Sequence, residues 1–315
     1  MISPEQRLAF RNEGCFVLRG WFTSEEVERL WSHIEPFAVG HQQSLESRGS
    51  EGISRANEIQ FTAHLAGQSP EIMAFAGGAR MARLASSLLG ADARLYWDQA
   101  VIKHPETPRD FPWHQDNGYT PIDPEEYITC WLALSRATVE NGCIWVLPGS
   151  HRQGTLPHMD SPLGKVGYSG PEAGVPIPAE KGDLVVFSSL LLHRSGPNLT
   201  AGEVRRAYVM QYCHLDAVLR ATGIPTTNPT SSCSSGTRRK PRSSAPIAWG
   251  TRTSCGGRPD PAPSTSRRCS ISILASTPTR RLPSSWGAPS SCPNSRRAFM
   301  ACTCCGRESA AISAG

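Results

Sequence analysis

From Arg94 to Cys213 the sequence is a succession of short apolar runs separated by turn-forming residues, and this pattern limits the fold more than any other feature. Runs of this length, bounded by Gly, Pro or Asn, are typical of β-strands. Strands are expected at 94–103, 127–134, 142–148, 184–187, 190–193 and 205–213, with a further strand opening at His114. Many short strands at regular spacing predict a β-barrel or a double-sheet jelly roll.

The first ninety residues carry helical signals instead. Ser3 followed by Pro4 has the form of an N-cap and first helical residue, and Thr23 is predicted to cap a second helix with an acidic first turn. Residues 70–89 repeat apolar side chains at helical spacing and are predicted to form one or two helices broken at 77–78. The expected fold is therefore mainly β, with N-terminal helices packed on a jelly-roll core.

Two segments lack a clear period. Residues 39–57 are polar and contain Gly and Ser, so they are predicted to form a mobile loop. Residues 154–181 are rich in Gly and Pro, and unpatterned segments of this length are usually functional lids or disordered. Selectivity for a substrate is expected to lie in these two segments.

The C-terminal part differs sharply in composition. Residues 231–315 contain 13 Lys and Arg but only Asp260 and Glu308, while the chain before 231 has 19 basic and 25 acidic residues. The overall charge of +5 thus arises from the tail and does not indicate nucleic-acid binding; its cations are scattered, with few aromatic residues among them. We predict a catalytic domain at 1–225 and a basic Ser/Arg/Pro/Cys tail at 226–315 that is disordered or translated out of frame.

The sequence contains no recognisable signal peptide or membrane-spanning segment. The N-terminus is charged, without the apolar core of a signal peptide, and no apolar run approaches the roughly 18 residues that span a bilayer. Four widely spaced cysteines precede the tail. The expectation is a cytoplasmic protein with reduced thiols and no membrane partner, and the sequence does not predict an oligomeric state.

His114 and Asp116 are the first candidates for chemistry. Side chains two residues apart on a strand point the same way, so an imidazole and a carboxylate would form half of a metal site. Two histidines and one carboxylate form the ligand set of non-haem Fe(II) oxygenases, and His193, at the end of a second apolar run, is the candidate third ligand. On this pattern alone, a hydrogen-bonded structural pair remains the alternative for His114 and Asp116.

Arg205 opens the last predicted strand, twelve residues after His193. That spacing suits an arginine that reaches the same cavity from a neighbouring strand, and a guanidinium can grip a carboxylate through two hydrogen bonds. Gln99 and Lys103, on the strand before His114, are expected to flank the cavity. His158, in the 154–181 segment, is expected to be a solvated loop residue.

Several ordered motifs together resemble the phytanoyl-CoA dioxygenase family, over about residues 10–220. They are His114-Gln-Asp116, Glu140-Asn-Gly-Cys-Ile-Trp-Val-Leu-Pro-Gly-Ser-His151, Gly182-Asp-Leu-Val-Val-Phe187, and His193-Arg-Ser-Gly-Pro-Asn198 followed by Arg205-Arg-Ala207. The resemblance implies an Fe(II)/2-oxoglutarate oxygenase on a double-stranded β-helix, a cupin-like jelly roll. It also implies O₂ as oxidant, succinate and CO₂ as products of 2-oxoglutarate, and support of activity by ascorbate.

The resemblance assigns roles to individual residues. It implies that His114, Asp116 and His193 bind iron, that Arg205 holds the distal carboxylate of 2-oxoglutarate, and that Ser195 and Trp131 line that pocket. Arg205 lies one residue further from the histidine than in relatives, so Arg206 is the alternative. Related halogenases have a small residue in place of the carboxylate, so Asp116 favours hydroxylation of a small organic substrate.

Two other functions remain open at this point. One is a cupin-type metalloenzyme, an isomerase or hydrolase, that uses the same His-Asp-His site without 2-oxoglutarate. The other is a non-catalytic metal-binding relative. Arg205 separates the first from an oxygenase, because only the oxygenase needs a carboxylate anchor there.

Overall fold

The computed structural model describes residues 2–90 and 93–226, together with the backbone of 232–233. The chain divides into two units, Met1–Ser244 and Ala245–Gly315. Apart from residue 226 and that short backbone segment, the predicted tail at 226–315 lies outside the described residues. Both interpretations of the tail, and the domain boundary at 225, therefore stay predictions.

The four helices of the described residues begin close to where the sequence signals predict, and all except α2 also end there. They are α1 (Pro4–Glu13), α2 (Ser24–Arg48), α3 (Pro70–Ala76) and α4 (Ala79–Leu89). Ser3 caps α1: its hydroxyl accepts from Gln6 N (3.2 Å), while Gln6 Oε1 accepts from Ser3 N (2.8 Å). Thr23 caps α2 in the same way. None of the helices in the described part of the chain has the length and apolar character to cross a bilayer.

The strands form two main antiparallel sheets and two small ones. They are β1 (Cys15–Leu18), β2 (Ser50–Glu51), β3 (Ser54–Arg55), β4 (Ile59–Ala63), β5 (Ala93–Lys103), β6 (Phe111–His114), β7 (Ile122–Asp123), β8 (Ile128–Ala133), β9 (Ile144–Val146), β10 (Met159–Ser161), β11 (Gly164–Val166), β12 (Val175–Ile177), β13 (Leu184–Ser188), β14 (His193–Ser195), β15 (Arg205–His214), β16 (Val218–Leu219) and β17 (Ser232–Cys233). The major sheet has the order β1-β13-β8-β15-β5-β4-β3-β2, with β17 beside β5, and the minor sheet has the order β12-β9-β14-β6. β10 pairs with β11, and β16 pairs with β7.

Alternate residues of the major sheet contribute to two different cores. On β15, Tyr208, Met210 and Tyr212 pack with the helices, whereas Ala207 and Val209 pack with residues of the minor sheet. Because both faces of the central strands are covered, these strands are almost continuously apolar in sequence. Helices on one face of the major sheet and the minor sheet on the other confirm the predicted mainly β, cupin-like jelly roll.

The predicted loop at 39–57 is wrong over its first half. α2 continues to Arg48, although Pro36 lies inside it. Tertiary contacts hold the polar second half of the helix: Leu45 is fully buried, Ala38 O accepts from Gln60 Nε2 (2.7 Å), and His41 Nδ1 lies 3.0 Å from Thr62 Oγ1. A hydrophobic period reports these contacts poorly, because two of them are hydrogen-bonding contacts and only Ala38 and Leu45 are buried in this half of the helix.

Three further boundaries differ from the sequence expectations. β6 ends at His114, and Asp116 begins a 3₁₀ turn (Asp116–Gly118), so the two side chains do not share one strand. His193 opens β14 and does not end the preceding apolar run. The 154–181 segment contains the β10–β11 hairpin and β12. The turn at 189–192 and the change of direction after His114 both depend on pairing between distant segments.

Candidate metal centre and adjoining cavities

The structure brings His114, Asp116 and His193 together. His114 and His193 are direct neighbours in the pairing of β6 with β14, and their ring centroids lie 4.1 Å apart. Asp116 Oδ1 lies 4.0 Å from His114 Nε2 and 3.5 Å from His193 Nε2. The turn after β6 therefore places the carboxylate beside the imidazoles. The sequence analysis had expected His114 and Asp116 to be brought together by lying on one strand.

Hydrogen bonds fix which nitrogen of each imidazole is free. His114 Nδ1 lies 2.8 Å from Pro112 O, and His193 Nδ1 lies 3.0 Å from Leu191 O. A carbonyl oxygen only accepts, so both Nδ1 atoms carry hydrogen, and in the neutral form of each ring Nε2 is the atom whose lone pair can bind a metal on the side of Asp116. Burial, followed by the neighbouring His193, holds the pKa of His114 well below its ordinary value, which favours the neutral form that binds metals.

Asp116 is oriented by its surroundings. Its Oδ2 accepts a hydrogen bond from the hydroxyl of Thr129 on β8, which leaves Oδ1 for the space between the imidazoles. The sequence analysis did not identify Thr129. The available signal was a lone hydroxyl residue in the apolar run Ile128–Ala133, two residues before Trp131 and hence on the same face of the strand.

Gln115 anchors the turn between the two candidate ligands. Its buried carboxamide donates to Leu190 O (2.6 Å) and Gly154 O (2.9 Å) and accepts from Leu156 N (2.7 Å). Its backbone N–H donates to His158 Nε2 (2.9 Å). The expectation that His158 is a solvated loop residue was wrong, because this half-buried ring supports the turn that carries Asp116.

The three side chains fit a divalent transition metal. Their candidate ligand atoms all lie within 4.8 Å of one another, and no other cluster of this kind occurs among the described residues. Two neutral imidazole nitrogens and one carboxylate oxygen on one side, with cavity space on the other, match the ligand set and open positions of non-haem Fe(II) sites. The alternative of a hydrogen-bonded structural pair does not fit, because His114 Nε2 and Asp116 Oδ1 lie 4.0 Å apart, too far for a hydrogen bond.

Two cavities meet at these side chains. The first, which we call the arginine cavity, encloses about 480 Å³ of space not filled by atoms. It is lined by Ile59, Phe61, Gln99, Val101, Phe111, His114, Asp116, Thr129, Trp131, Ile144, Phe187, His193, Arg194, Ser195, Arg205 and Val209. Its wall thus contains Gln99 and the six residues to which the resemblance assigns roles, whereas Lys103 and Arg206 are absent from it.

Arg205 is the unusual group in the arginine cavity. Its side chain is 1% exposed, and neither Nε nor Nη2 has a hydrogen-bond partner among the described residues. Its guanidinium lies 5.7 Å from the centre of the Trp131 ring. Burial lowers its pKa to about 10, which still leaves it charged at neutral pH. A buried cation with unpaired N–H groups is costly, so this site is suited to an anion.

The choice between the two arginines follows from the strand. Arg206, the alternative, points to the opposite face of β15 and stacks 4.6 Å above the ring of Trp31 on α2. Adjacent residues of a strand face opposite sides, so only one of the pair can enter the cavity. The structure places Arg205 there.

Lys103 lies beside Arg205, its register partner across β5 and β15. Its ammonium group is buried and donates to Ser195 Oγ (3.1 Å), Gly196 O (2.5 Å) and Arg109 O (3.4 Å). Three oxygen acceptors suit a charged lysine, while burial and then Arg205 lower its pKa to about 7. Ser195 therefore has one hydroxyl lone pair engaged by Lys103 and its own hydrogen available to a ligand.

The second cavity, which we call the tyrosine cavity, also borders His114 and Asp116 and contains about 680 Å³ of such space. It is lined by Ile53, Phe61, Tyr96, Trp97, Gln99, Phe111, His114, Asp116, Tyr119, Thr120, Tyr127 and Gln211. Of these, the sequence analysis identified only Gln99 and the two candidate ligands as site residues. The aromatic residues come from several separate elements and connecting segments between Phe61 and Tyr127, so no local pattern marks them as one wall.

Comparison with known proteins gives consistent results. The profile of the family described as Phytanoyl-CoA dioxygenase (PhyH) matches residues 10–207. "Phytanoyl-CoA dioxygenase, peroxisomal" of Homo sapiens is 38% identical over 244 residues, covering 69% of this chain and 70% of the human protein. "Phytanoyl-CoA dioxygenase 1" of Oryza sativa subsp. japonica is 33% identical over 137 residues, covering 42% of this chain. The chain spans about half (49%) of the length of that rice relative.

A solved structure has the same fold. EvdO2 from Micromonospora carbonacea var. aurantiaca, crystallised with 2-oxoglutarate, superposes with a TM-score of 0.56 at 25% identity. The match covers 72% of this chain and 96% of EvdO2. The two chains therefore share a fold over nearly the whole of EvdO2.

Proposed function

The chain belongs to the phytanoyl-CoA dioxygenase family of Fe(II)- and 2-oxoglutarate-dependent oxygenases, and from that premise we propose that it hydroxylates a small organic substrate. One observation carries the proposal furthest. The buried, unpaired guanidinium of Arg205 shares a cavity with the His-Asp-His cluster, so a dicarboxylic acid could be anchored at one end and reach a metal at the other.

His114, Asp116 and His193 would hold the iron. The Nδ1–H groups of both histidines donate to backbone carbonyls, which fixes both rings with Nε2 available. Thr129 holds the carboxylate in place. When bound, Fe(II) and 2-oxoglutarate supply the oxidation, with O₂ consumed and succinate and CO₂ released. The protein supplies orientation and a site that keeps competing reactions out.

Arg205 would bind the distal carboxylate of 2-oxoglutarate through its free N–H groups. Ser195, held by Lys103, would donate its hydroxyl hydrogen to the same carboxylate, and Trp131 would form a wall of the pocket. Desolvation strengthens such charge-assisted hydrogen bonds, and binding would remove the cost of the unpaired guanidinium.

Hydroxylation is the reaction that the ligand set supports best within this family. Asp116 supplies a carboxylate where related halogenases have a small residue that leaves room for chloride. A cupin-type isomerase or hydrolase that does not use 2-oxoglutarate would have no use for Arg205 in its present position.

The test is 2-oxoglutarate turnover by the full chain with Fe(II), ascorbate, O₂ and a panel of small organic compounds. Succinate should form, with a hydroxylated product in equal amount when a substrate is present. His193→Ala should reduce turnover at least a thousandfold, whereas His41→Ala, on α2 beside Thr62, should not.

Three outcomes would contradict the proposal. Metal-dependent turnover of a compound without 2-oxoglutarate would favour the cupin-type alternative. Fe(II) binding without turnover of any kind would favour a non-catalytic relative. Formation of succinate with an isomerised or cyclised product would keep the cosubstrate assignment and remove hydroxylation.

A further inference from the structure

The wall of the tyrosine cavity combines aromatic rings with neutral polar groups. Six aromatic side chains line it, together with Gln99, Gln211, Thr120 and Ile53. Among the described residues of this wall there is neither a lysine nor an arginine, and the single carboxylate is Asp116. Since Asp116 is a candidate metal ligand bonded to Thr129, it is not available to neutralise a substrate cation. The cavity therefore offers hydrogen bonds and apolar surface without a free charge.

Two groups in this wall have unused hydrogen-bonding capacity. The side chain of Gln211 is 7% exposed and that of Tyr127 is 1% exposed, and neither makes a side-chain hydrogen bond with the described residues. Other polar groups nearby are engaged: Trp97 Nε1 donates to Gln99 Oε1 (3.1 Å), and Tyr119 Oη accepts from Lys165 N (3.0 Å). Both side chains line the cavity, so a carboxamide and a phenol without a partner in the part of the chain that the structure describes are available there to hydrogen-bond a ligand.

The charge state of Tyr127 fits this interpretation. Burial, followed by the nearby Asp116, raises its pKa well above the ordinary value, so the phenol stays neutral and can donate a hydrogen bond. An anionic group would lose its hydration here without gaining a partner, because the wall holds no lysine or arginine, and Asp116 and the cosubstrate carboxylate would already balance the two positive charges of a bound Fe(II). The aromatic rings, in contrast, gain by stacking on flat carbon skeletons.

We propose that the tyrosine cavity binds the reacting part of an uncharged substrate: a ring-containing carbon skeleton with hydroxyl or carbonyl groups that Gln211 and Tyr127 recognise. This inference rests on the proposed function, because it takes the metal centre as the place of reaction. Gln211 can donate to a carbonyl and accept from a hydroxyl, and Tyr127 can donate to either oxygen. The two side chains would thus fix the orientation of the ring that faces His114 and Asp116.

The experiment compares three probes of similar size on the full chain loaded with Fe(II) and 2-oxoglutarate under anaerobic conditions. The probes are hydroxytetralone (neutral), hydroxynaphthoate (anionic) and phenyltrimethylammonium (cationic), and calorimetry gives their dissociation constants. Hydroxytetralone should bind at least tenfold more tightly than either charged probe. Tighter binding of a charged probe, or no binding of the neutral one, would overturn the proposal.

Variants test the two recognition groups directly. Gln211→Leu and Tyr127→Phe should each weaken hydroxytetralone binding about tenfold, as expected for loss of one hydrogen bond in a buried site. Gln211→Glu, which keeps the shape, should weaken it at least as much and should not improve binding of hydroxynaphthoate. Gln153→Leu and Tyr168→Phe, outside the tyrosine cavity, are the matched controls. Unchanged binding in all cavity variants would contradict the assignment.

Binding of 2-oxoglutarate, measured in the same preparations before any probe is added, separates the two proposals. If 2-oxoglutarate binds normally and the probes behave otherwise than expected, the substrate class is wrong and the proposed function stands. If 2-oxoglutarate does not bind to the Fe(II)-loaded chain, the proposed function itself fails. Thermal unfolding of each variant shows that lost binding does not reflect lost folding.

Discussion

The arginine cavity and the tyrosine cavity share five lining residues but are built differently. The shared residues are Phe61, Gln99, Phe111, His114 and Asp116. In the arginine cavity every lining residue except Asp116 lies on a strand of the two main sheets. In the tyrosine cavity Ile53, Tyr119, Thr120 and Tyr127 lie in connecting segments, as Asp116 does.

This difference separates two tasks. Paired strands hold the groups that would bind metal and cosubstrate, and backbone ladders fix their positions to a fraction of an ångström. Connecting segments hold much of the wall that would meet the substrate, and such segments tolerate sequence change better than strands do. One jelly roll can therefore keep its cosubstrate site while its substrate site varies.

Among the variants that distinguish the two cavities, the largest expected effect is in the arginine cavity. Arg205→Met should raise the 2-oxoglutarate concentration needed for half-maximal turnover about a hundredfold, since charged hydrogen bonds contribute roughly 1.5–3 kcal/mol each. Arg206→Met, one residue along on the opposite face, should change it less than threefold. Turnover measured against 2-oxoglutarate concentration checks both. The reverse result would assign the anchor to Arg206.

The same pair of variants has a second readout. Arg205 is a buried cation with unpaired N–H groups, so Arg205→Met should not lower the melting temperature of the ligand-free chain. Added 2-oxoglutarate should stabilise the original chain and leave the variant unaffected, because stabilisation by a ligand requires binding. A variant that is destabilised without ligand would indicate a structural role for the guanidinium.

The next effect concerns the junction of the two cavities. Thr129→Val keeps the shape of the side chain and removes the hydroxyl that donates to Asp116. We expect Fe(II) affinity to fall about tenfold, the lower end of what loss of such a supporting contact to a metal ligand causes. Anaerobic Fe(II) titration checks this, with Thr62→Val on β4 as control. Equal affinity in both variants would mean that Thr129 does not orient the carboxylate.

Lys103, which is buried beside Arg205, should make the free energy of unfolding depend on pH. The pKa of Lys103 is lowered from 10.5 to about 7, so between these values the unfolded chain holds a proton that the folded chain releases. The contribution of Lys103 to the free energy of unfolding therefore rises with pH across that window, by on the order of 1 kcal/mol per pH unit. Below about pH 7 this contribution is constant.

Lys103→Met removes this dependence. The variant should gain stability relative to the original chain as pH falls from about 10 to about 7, because only the original chain must release a proton from Lys103 in order to fold, and this release becomes more costly as pH falls. Denaturant unfolding at several pH values checks the slope. Lys181→Met, which breaks a surface contact with Glu28, is the control. A stability difference that is independent of pH would contradict the prediction.

The smallest effect concerns the tyrosine cavity. Tyr119→Phe removes the hydroxyl that accepts from Lys165 N at the β10–β11 hairpin, which should cost about 1 kcal/mol of local stability. Hydrogen exchange at Lys165 N–H should accelerate about fivefold, while 2-oxoglutarate affinity stays within twofold. Tyr168→Phe, in the same 154–181 segment, is the control. A large loss of 2-oxoglutarate affinity in Tyr119→Phe would show that the two cavities are coupled.

Much of the fold was predictable because its signals are local. The caps at Ser3 and Thr23, the break at 77–78 and the apolar strands all depend on residues within one element. The second half of α2 was missed because contacts with β4, and not its own period, hold it in place. Asp116 was placed on a strand for a related reason: the turn after His114 is fixed by the contacts of Gln115 with Gly154, Leu156 and Leu190.

Part of the candidate site could likewise be predicted from the sequence, and part of it could not. His114, Asp116, His193 and Arg205 could be identified from residue types in ordered motifs, since their chemistry is carried by the side chains themselves. The grouping of Tyr96, Tyr119, Tyr127 and Gln211 could not, because these residues come from segments whose convergence depends on how distant strands pair and pack.

The sequence by itself determined that Arg205 and Arg206, as neighbours on one strand, point to opposite faces of the sheet. It did not determine which side holds the cavity. That depends on the packing of α2, whose Trp31 covers Arg206 and leaves Arg205 between the sheets. Alternation is a property of the backbone of one strand, whereas the identity of its two faces is decided by the elements that pack against it.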